Sequence, residues 1–290
     1  MSRKGGNFLP TQYSLEIAES ISKVLDSEFC KEETELLSKE LHERYFDNIS
    51  RIVTEDTASL TFYSHSMRSL SAFAGKDFVQ FDQQIDFWLF TFCHLVTVIA
   101  CKVIDDDEFE ELIKLICDNL NIIRNPYLHE QNREQFKPHL FRHSDCLELS
   151  HAMSRAMIIF IISHEIAHIS LGHSEIEHSK ELEFEADELA CKFYLKIIEQ
   201  KYNAGMIFIH EKLLFSPVIL MRFFEIFEMY RFKENDKMPL RITHPSPGER
   251  SQAIRKLLEG SSNTGAEYIL KGFEVALTDI IKFKELPEVN

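Results

Sequence analysis

Two histidines set four residues apart in an apolar segment constrain this 290-residue chain more than any other feature. His164 and His168 enclose Glu-Ile-Ala, and the five residues 158–162 before them are all Ile or Phe. Residues four apart on an α-helix lie on the same face, so both imidazoles can reach one ion. Glu165 projects about 100° away, beside the open side of that ion. The pattern predicts a helix that presents two metal ligands and a general base.

A second helix is predicted to complete the metal site. Catalytic zinc usually takes three protein ligands and leaves one position for water. Glu183, Ala186, Asp187 and Ala190 lie at i, i+3, i+4 and i+7, which makes one helical face with two acids and two small residues. The alanines would let two helices approach closely. We therefore predict Glu183 as the third ligand and Asp187 as the partner of the far nitrogen of a ligand histidine. Glu185 is expected to be solvated.

Other residues could supply the third ligand. Glu177 and Glu181 are weaker candidates on the same stretch. His173 would suit a metzincin, but that motif requires a Gly three residues and a His six residues after the second His, and neither stands there. Gly172 is instead predicted to end the active-site helix as a C-cap, with His173 in the following loop.

Four motifs, taken in order, resemble the gluzincin peptidases of the HtpX and CAAX-prenyl-protease type. They are HEIAH at 164–168, EFEADELA at 183–190, the segment Thr243-His244-Pro245-Ser246, and Arg250. The resemblance covers residues 155–260, under half of the chain. It implies a zinc peptidase in which His164, His168 and Glu183 bind the metal and Glu165 is the general base.

The same resemblance implies that the segment after residue 243 borders the site. His244 would then stabilise the developing oxyanion, and Arg250 would pair with Asp187. A purely structural interpretation is also open, because Ser246, with Pro247 and a glutamate after it, has the pattern of a capped helix start.

Two departures separate the chain from those peptidases. The HtpX and CAAX-type peptidases are membrane proteins with several spans, whereas this chain has no clear span. The gap between its two site helices is also short, which suggests a compact soluble relative. ImmA/IrrE-like regulatory peptidases share an HExxH…ExEA pattern, but the THPS…R segment fits them less well. Phage-exclusion peptidases of the Lit type are also soluble HExxH proteins of similar length.

Composition favours a mainly α (α+β) fold, a helical zinc-peptidase domain with a small edge sheet. Nine glycines and eight prolines are about half the average share, which is typical of long helices. A net charge of −15 argues against nucleic-acid binding, since such sites are basic. A peptidase of this type also needs an edge strand to hold a substrate backbone. We predict that residues 59–63 or residues 121–124 form this strand.

We predict two regions in the chain. Residues 1–145 form a helical region that packs on or caps the catalytic half, and residues 146–290 form the catalytic domain. The polar stretch 125–145 is the expected boundary. Its histidines, His129, His139 and His143, are expected at the surface.

The most apolar run is expected to be a buried core helix. Phe87–Cys101 has fifteen residues, fewer than the ~20 that span a bilayer, and acidic residues flank it. Membrane association is therefore disfavoured, and His94 within the run is expected to be a satisfied core residue. No apolar leader precedes residue 10, and six cysteines without CxxC spacing suggest reduced thiols. We expect a cytoplasmic protein.

The sequence thus predicts a zinc metalloendopeptidase that hydrolyses peptide bonds of a cytosolic protein, with Zn²⁺ as its cofactor. Because a free cytosolic protease would be harmful, gating by a regulatory protein partner or a lid is expected. The alternative is a regulatory or interaction protein that binds metal without turnover. A third hypothesis is a helical interaction protein without metal, in which the motif is fortuitous.

Overall fold

The computed structural model describes residues 60–65, 71–82, 84–102, 104–124, 136, 138–139, 141–173, 179–202, 212–231, 244–262 and 264–282. Over these residues the protein is 81% helix, with seven α-helices and one three-stranded sheet. The predicted mainly α fold with a small sheet is confirmed. Residues 1–59 of the predicted helical region lie outside the described residues. The division at residue 145 stays a prediction.

A small mixed sheet forms from β1 (Thr61–His65), β2 (Ala72–Ala74) and β3 (Phe78–Asp82). The strand order is β1-β3-β2, with β1 parallel and β2 antiparallel to β3. Gly75 lies between β2 and β3, and a Cβ there would come within 2.2 Å of the Phe78 ring, so a larger residue would force that ring to move. Val79 and Phe81 are fully buried, so one face of the sheet belongs to the core.

The two helices after the sheet are α1 (Gln84–Cys101) and α2 (Asp106–Arg124). The predicted core helix is confirmed, because nearly the whole length of α1 is buried. His94 is fully buried, with Nδ1 3.4 Å from the Ser150 hydroxyl and its ring stacked on Phe90. Burial lowers the pKa of His94 to about 3, so the ring is neutral.

The predicted site helices are α3 (Leu147–Ser170) and α4 (Lys180–Tyr202). A single 3₁₀ turn, Ser144–Cys146, leads into α3. Ala186 and Ala190 on α4 are fully buried, as expected of small residues where two helices approach closely. Both helices therefore belong to the hydrophobic core and hold their polar site residues on a rigid frame.

The remaining described helices are α5 (Ser216–Arg231), α6 (Pro247–Glu259) and α7 (Thr264–Lys282). The predicted start of α6 is confirmed by a complete capping box. The Ser246 hydroxyl accepts from the Glu249 N–H at 3.2 Å, and the Glu249 carboxylate accepts from the Ser246 N–H at 2.7 Å. The cap fixes where α6 begins relative to the site.

Two expectations for the chain before α3 are wrong. Residues 121–124 end α2, so they form no edge strand; the amphipathic pattern before them continues one more turn. His139 and His143 are buried, not at the surface, because Glu111 and Glu108 on α2 give their rings polar partners at 3.3 and 3.0 Å. His129 lies outside the described residues.

Among the described residues, two segments are long and apolar enough to cross a membrane, Gln84–Cys101 and Ser144–Ser170. In each, 72% of the most apolar window is buried inside the fold. Core helices of soluble proteins pass the same test, so the two segments are weak evidence for a membrane.

Candidate active site

Helix α3 carries the two histidines to the point where it ends. Gly172 adopts a φ of 71°, and its N–H donates to the Ile169 carbonyl at 3.0 Å. A left-handed residue of this kind terminates a helix, and glycine adopts it without steric cost. The predicted role of Gly172 in ending the helix is confirmed, with Leu171 as the C-cap and Gly172 directly after it. His164 and His168 consequently lie in the last two turns of α3. Each residue is buried, with 8% of its surface exposed.

Two imidazoles and one carboxylate converge from α3 and α4. Nε2 of His164 is 3.1 Å from Nε2 of His168. Oε2 of Glu183 is 3.5 Å from Nε2 of His164, and Oε1 is 3.7 Å from Nε2 of His168. Among the described residues, this is the group of three that could hold a metal ion. Glu181 is exposed and Glu177 lies outside the described residues.

The other nitrogen of His164 is held by a buried ion pair. Oδ1 of Asp187 is 3.0 Å from Nδ1 of His164. Arg250 on α6 donates to both carboxylate oxygens of Asp187, at 2.8 and 2.6 Å, and Asp187 is 1% exposed. Arg250 also lies 3.6 Å from Glu183. The guanidinium therefore ties α6 to the carboxylates of α4.

The electrostatics of the site keep both carboxylates ionised. Burial alone would raise the pKa of Glu183, but His164, Arg250 and His168 lower it to about 2. Burial opposes ionisation of Asp187 too, and Arg250 and His164 lower its pKa to about 2. Without a metal, burial and Arg250 lower the pKa of His164, yet its bonds to Asp187 and Glu183 prevail and raise the pKa to about 9. The site is thus built to stabilise positive charge.

Glu165 is on α3, and its carboxylate lies at the edge of the sheet formed by β2. Its half-buried carboxylate accepts a hydrogen bond from the backbone N–H of Ala74 on β2. Burial raises the pKa of Glu165, although His164 and Arg250 favour its ionised form. A carboxylate with a raised pKa takes up and releases protons more readily near neutral pH. The general base proposed from the sequence therefore lies next to an edge strand.

The segment 243–246, which was predicted to border the site, is described from His244 onward. His244 places Nε2 3.5 Å from Oε1 of Glu183, and its side chain is 51% exposed, so it lies at the rim of the donor group. Thr243 lies outside the described residues. The geometry brings the sequence-predicted residues together; the role of each in chemistry stays a prediction.

Sequence reasoning rejected His173 as the third ligand and did not predict that it contacts a ligand histidine from behind. Nδ1 of His173 lies 3.0 Å from Nδ1 of His168, and His173 is 3% exposed. Glu185 is exposed as expected, with 61% of its side chain accessible, and its Oε2 also lies 3.3 Å from Nε2 of His173. The signal was available: a residue that follows a C-cap glycine folds back onto the last turn of its helix.

The strand nearest Glu165 was missed as well. Residues 61–63 of the segment predicted as an edge strand lie in β1, but β1 is on the opposite edge of the sheet from β2. A three-residue strand such as β2, with the sequence Ala-Phe-Ala, is too short to give a periodic signal.

A buried His-His-Glu group beside a second glutamate defines a site that could bind a metal ion and move a proton. Residues 131–270 match the model of the family Peptidase U49, and the match spans just under half of the chain. The matched segment contains every residue of the donor group and supports a peptidase. No curated protein and no solved structure matches the chain.

Proposed function

We propose that the protein is a zinc-dependent metallopeptidase of the gluzincin type that cleaves peptide bonds in a protein substrate. The observation that carries the proposal is the spacing of the donor atoms. Ligands about 2.0–2.1 Å from a tetrahedral zinc lie about 3.3 Å from one another. The donor atoms of His164, His168 and Glu183 are separated by 3.1, 3.5 and 3.7 Å.

The chemistry of the donors also favours zinc over harder ions. Mg²⁺ and Ca²⁺ prefer oxygen ligands, whereas two imidazoles with one carboxylate are a donor set of catalytic zinc. Such a site keeps a position open, and His244 at the rim is partly exposed. Zinc, when bound, supplies a Lewis acid that polarises a carbonyl oxygen and acidifies water.

Glu165 is the group that moves protons. Its ionised carboxylate takes a proton from the attacking water and then delivers it to the nitrogen of the leaving amine. The raised pKa of Glu165 suits the first step, because a carboxylate that binds a proton more firmly is a better base. His244, 3.5 Å from Glu183, would donate a hydrogen bond to the oxygen that gains negative charge.

Strand β2 is the proposed support for the substrate backbone. Ladder bonds from Ser71 and Gly75 are directed to β3, since Asp82 N–H donates to the Ser71 carbonyl and Gly75 N–H donates to the Phe78 carbonyl. Backbone direction alternates along a strand, so the N–H and C=O of Ala72 and Ala74 are directed away from β3. The Ala74 N–H already donates to Glu165, which leaves the N–H of Ala72 and the two carbonyls for a substrate. An extended peptide that pairs with this edge would pass beside Glu165.

The environment and control of the enzyme are further parts of the proposal. Five cysteines in the described residues are free, four of them buried, which supports a reducing compartment such as the cytoplasm. Gating by a partner protein rests on physiology alone: an ungated protease would damage its own cell. Broad cleavage of cellular proteins by the isolated chain would contradict gating.

The first experiment measures zinc content by elemental analysis in the wild-type protein, Glu183→Ala and Glu165→Gln. We expect about one zinc per chain in the wild type and in Glu165→Gln, and a strong loss in Glu183→Ala. Cleavage of a true substrate should disappear in Glu165→Gln while fold and metal persist.

Each outcome separates the candidate functions. No zinc in the wild type after zinc is added back would overturn the proposal and leave a helical interaction protein. Zinc retained in Glu183→Ala would move the third ligand elsewhere. Cleavage that survives Glu165→Gln would refute the proton-transfer role and favour a site that holds metal for structure.

A further inference from the structure

His173 contacts His168 on the side away from the donor group. Nδ1 of His173 lies 3.0 Å from Nδ1 of His168, whereas the Nε2 of His168 is the atom that faces His164 and Glu183. The two nitrogens of an imidazole point in different directions. His173 therefore shares no ion with this donor group and instead forms a hydrogen bond with the back of His168.

The end of α3 explains why His173 lies there. In a helix that ends with a left-handed glycine, the residue after that glycine packs on the third residue from the helix end. Ser170 is the last residue of α3 and Gly172 has the left-handed conformation. His168 is the third residue from the end and His173 follows the glycine. The cap thus brings the two imidazoles together through local backbone geometry.

The contact continues to α4. Nε2 of His173 lies 3.3 Å from Oε2 of Glu185. A neutral imidazole donates from one nitrogen and accepts at the other. If Nε2 of His168 keeps its lone pair for a metal, its Nδ1–H donates to Nδ1 of His173, and the Nε2–H of His173 donates to Glu185. All three groups are then satisfied, and only one tautomer of each imidazole allows it.

We propose that His173, oriented by Glu185, is a positioning residue that fixes the tautomer and ring orientation of His168 for metal binding. The inference rests on the proposed zinc site and adds to it a partner for the second histidine. His164 has its own partner in Asp187, so a carboxylate of α4 orients each ligand imidazole, Asp187 directly and Glu185 through His173. Loss of such a partner typically weakens metal binding about 10–100-fold.

The test measures the zinc dissociation constant of the full chain by competition with a chromophoric chelator. His173→Phe removes both hydrogen bonds of the ring and should weaken zinc binding about 10–100-fold. His173→Asn keeps an acceptor for the Nδ1–H of His168 and should restore part of the affinity. Glu185→Ala should weaken binding, whereas Glu185→Gln, which still accepts a hydrogen bond, should weaken it less.

A matched control lies on the same helix. Glu188 is an exposed α4 glutamate whose carboxylate contacts Lys192, and Glu188→Ala should bind zinc as the wild type does. The thermal unfolding midpoint of each variant without metal separates a local effect on His168 from a loss of fold. Glu185 is 61% exposed, so its substitution keeps the test valid even if His173→Phe unfolds the chain.

Two results would overturn the inference while the proposed function stands. One is a folded His173→Phe that binds zinc as tightly as the wild type. The other is an equal affinity in Glu185→Ala and Glu188→Ala together with no recovery in His173→Asn. A wild-type chain that binds no zinc would overturn the proposed function itself.

Discussion

The buried pair between Arg250 and Asp187 gives the sharpest prediction for stability. Removing one partner of a buried ion pair typically costs about 3–5 kcal/mol, because it leaves an uncompensated charge. In Arg250→Met, Asp187 keeps one partner, Nδ1 of His164 at 3.0 Å, and that imidazole is protonated in the metal-free protein because its pKa is about 9. We therefore expect the lower end of the range, a loss of about 3 kcal/mol in the free energy of unfolding.

The double variant separates the charge effect from the function of the pair. Arg250→Met with Asp187→Leu removes both charges and replaces them by apolar groups, which is often nearly neutral for stability. It should therefore be more stable than Arg250→Met alone. Its zinc affinity should still fall about 10–100-fold, because Nδ1 of His164 has lost its carboxylate.

Urea denaturation of the metal-free chain measures the free energy of unfolding, and chelator competition measures zinc affinity. Arg222→Met is the matched control, since Arg222 pairs with Glu225 in a partly exposed i,i+3 pair whose loss should cost under about 1 kcal/mol. An Arg250→Met variant no less stable than Arg222→Met would refute the reasoning. The reasoning would also be refuted if the loss of unfolding free energy in the double variant equalled the sum of the losses in Arg250→Met and Asp187→Leu.

Three further predictions address other parts of the molecule. Burial lowers the pKa of His94 to about 3, so between pH 6.5 and pH 3 the unfolded chain binds a proton there and the folded chain does not. The contribution of neutral His94 to the free energy of unfolding is therefore complete above pH 6.5 and is lost as the pH falls toward 3. His94→Gln should flatten the measured slope of unfolding free energy against pH by up to about 1.4 kcal/mol per unit, and an unchanged slope would contradict this. Ser246→Ala should cost about 1 kcal/mol in urea denaturation, and Ser246→Asp should not, because the aspartate can still cap α6. Ala72→Pro should lower kcat/KM on peptides about 3–10-fold by removing one donor from the free edge of β2, with little change in unfolding free energy; equal kcat/KM would place the substrate elsewhere.

Local patterns predicted the parts of the fold and site that depend on one helix at a time. The four-residue spacing of His164 and His168 fixes their shared face in any helix. The capping signature at Ser246 and the glycine at 172 located two helix ends: α6 begins after Ser246, and α3 ends at Ser170, two residues before Gly172. The acid and alanine face of α4 likewise depends only on the helical period.

Apart from the expected contacts of Asp187 with His164 and with Arg250, contacts between distant segments were beyond such patterns. The pairing of β1 with β3 in parallel, and the position of β2 next to Glu165, depend on long-range packing that a three-residue strand does not encode. The sequence pattern indicated that His139 and His143 are polar loop residues at the surface. In the structure Glu111 and Glu108 of α2 pair with their rings, which offsets the cost of burying them. Glu185 is exposed as expected, but its contact with His173 was not predicted because the fold-back of His173 was not considered.

Helix α4 alone provides the donor Glu183 and the carboxylates that hold both imidazoles, Asp187 directly and Glu185 through His173. A helix advances about 1.5 Å and turns about 100° per residue, so a register slip of one residue against α3 would break all three contacts at once. The three contacts are therefore made or lost together with the docking of α4 on α3. Arg250 extends this cooperativity to α6, which makes the docking of α4 a single structural event on which the chemistry of the protein depends.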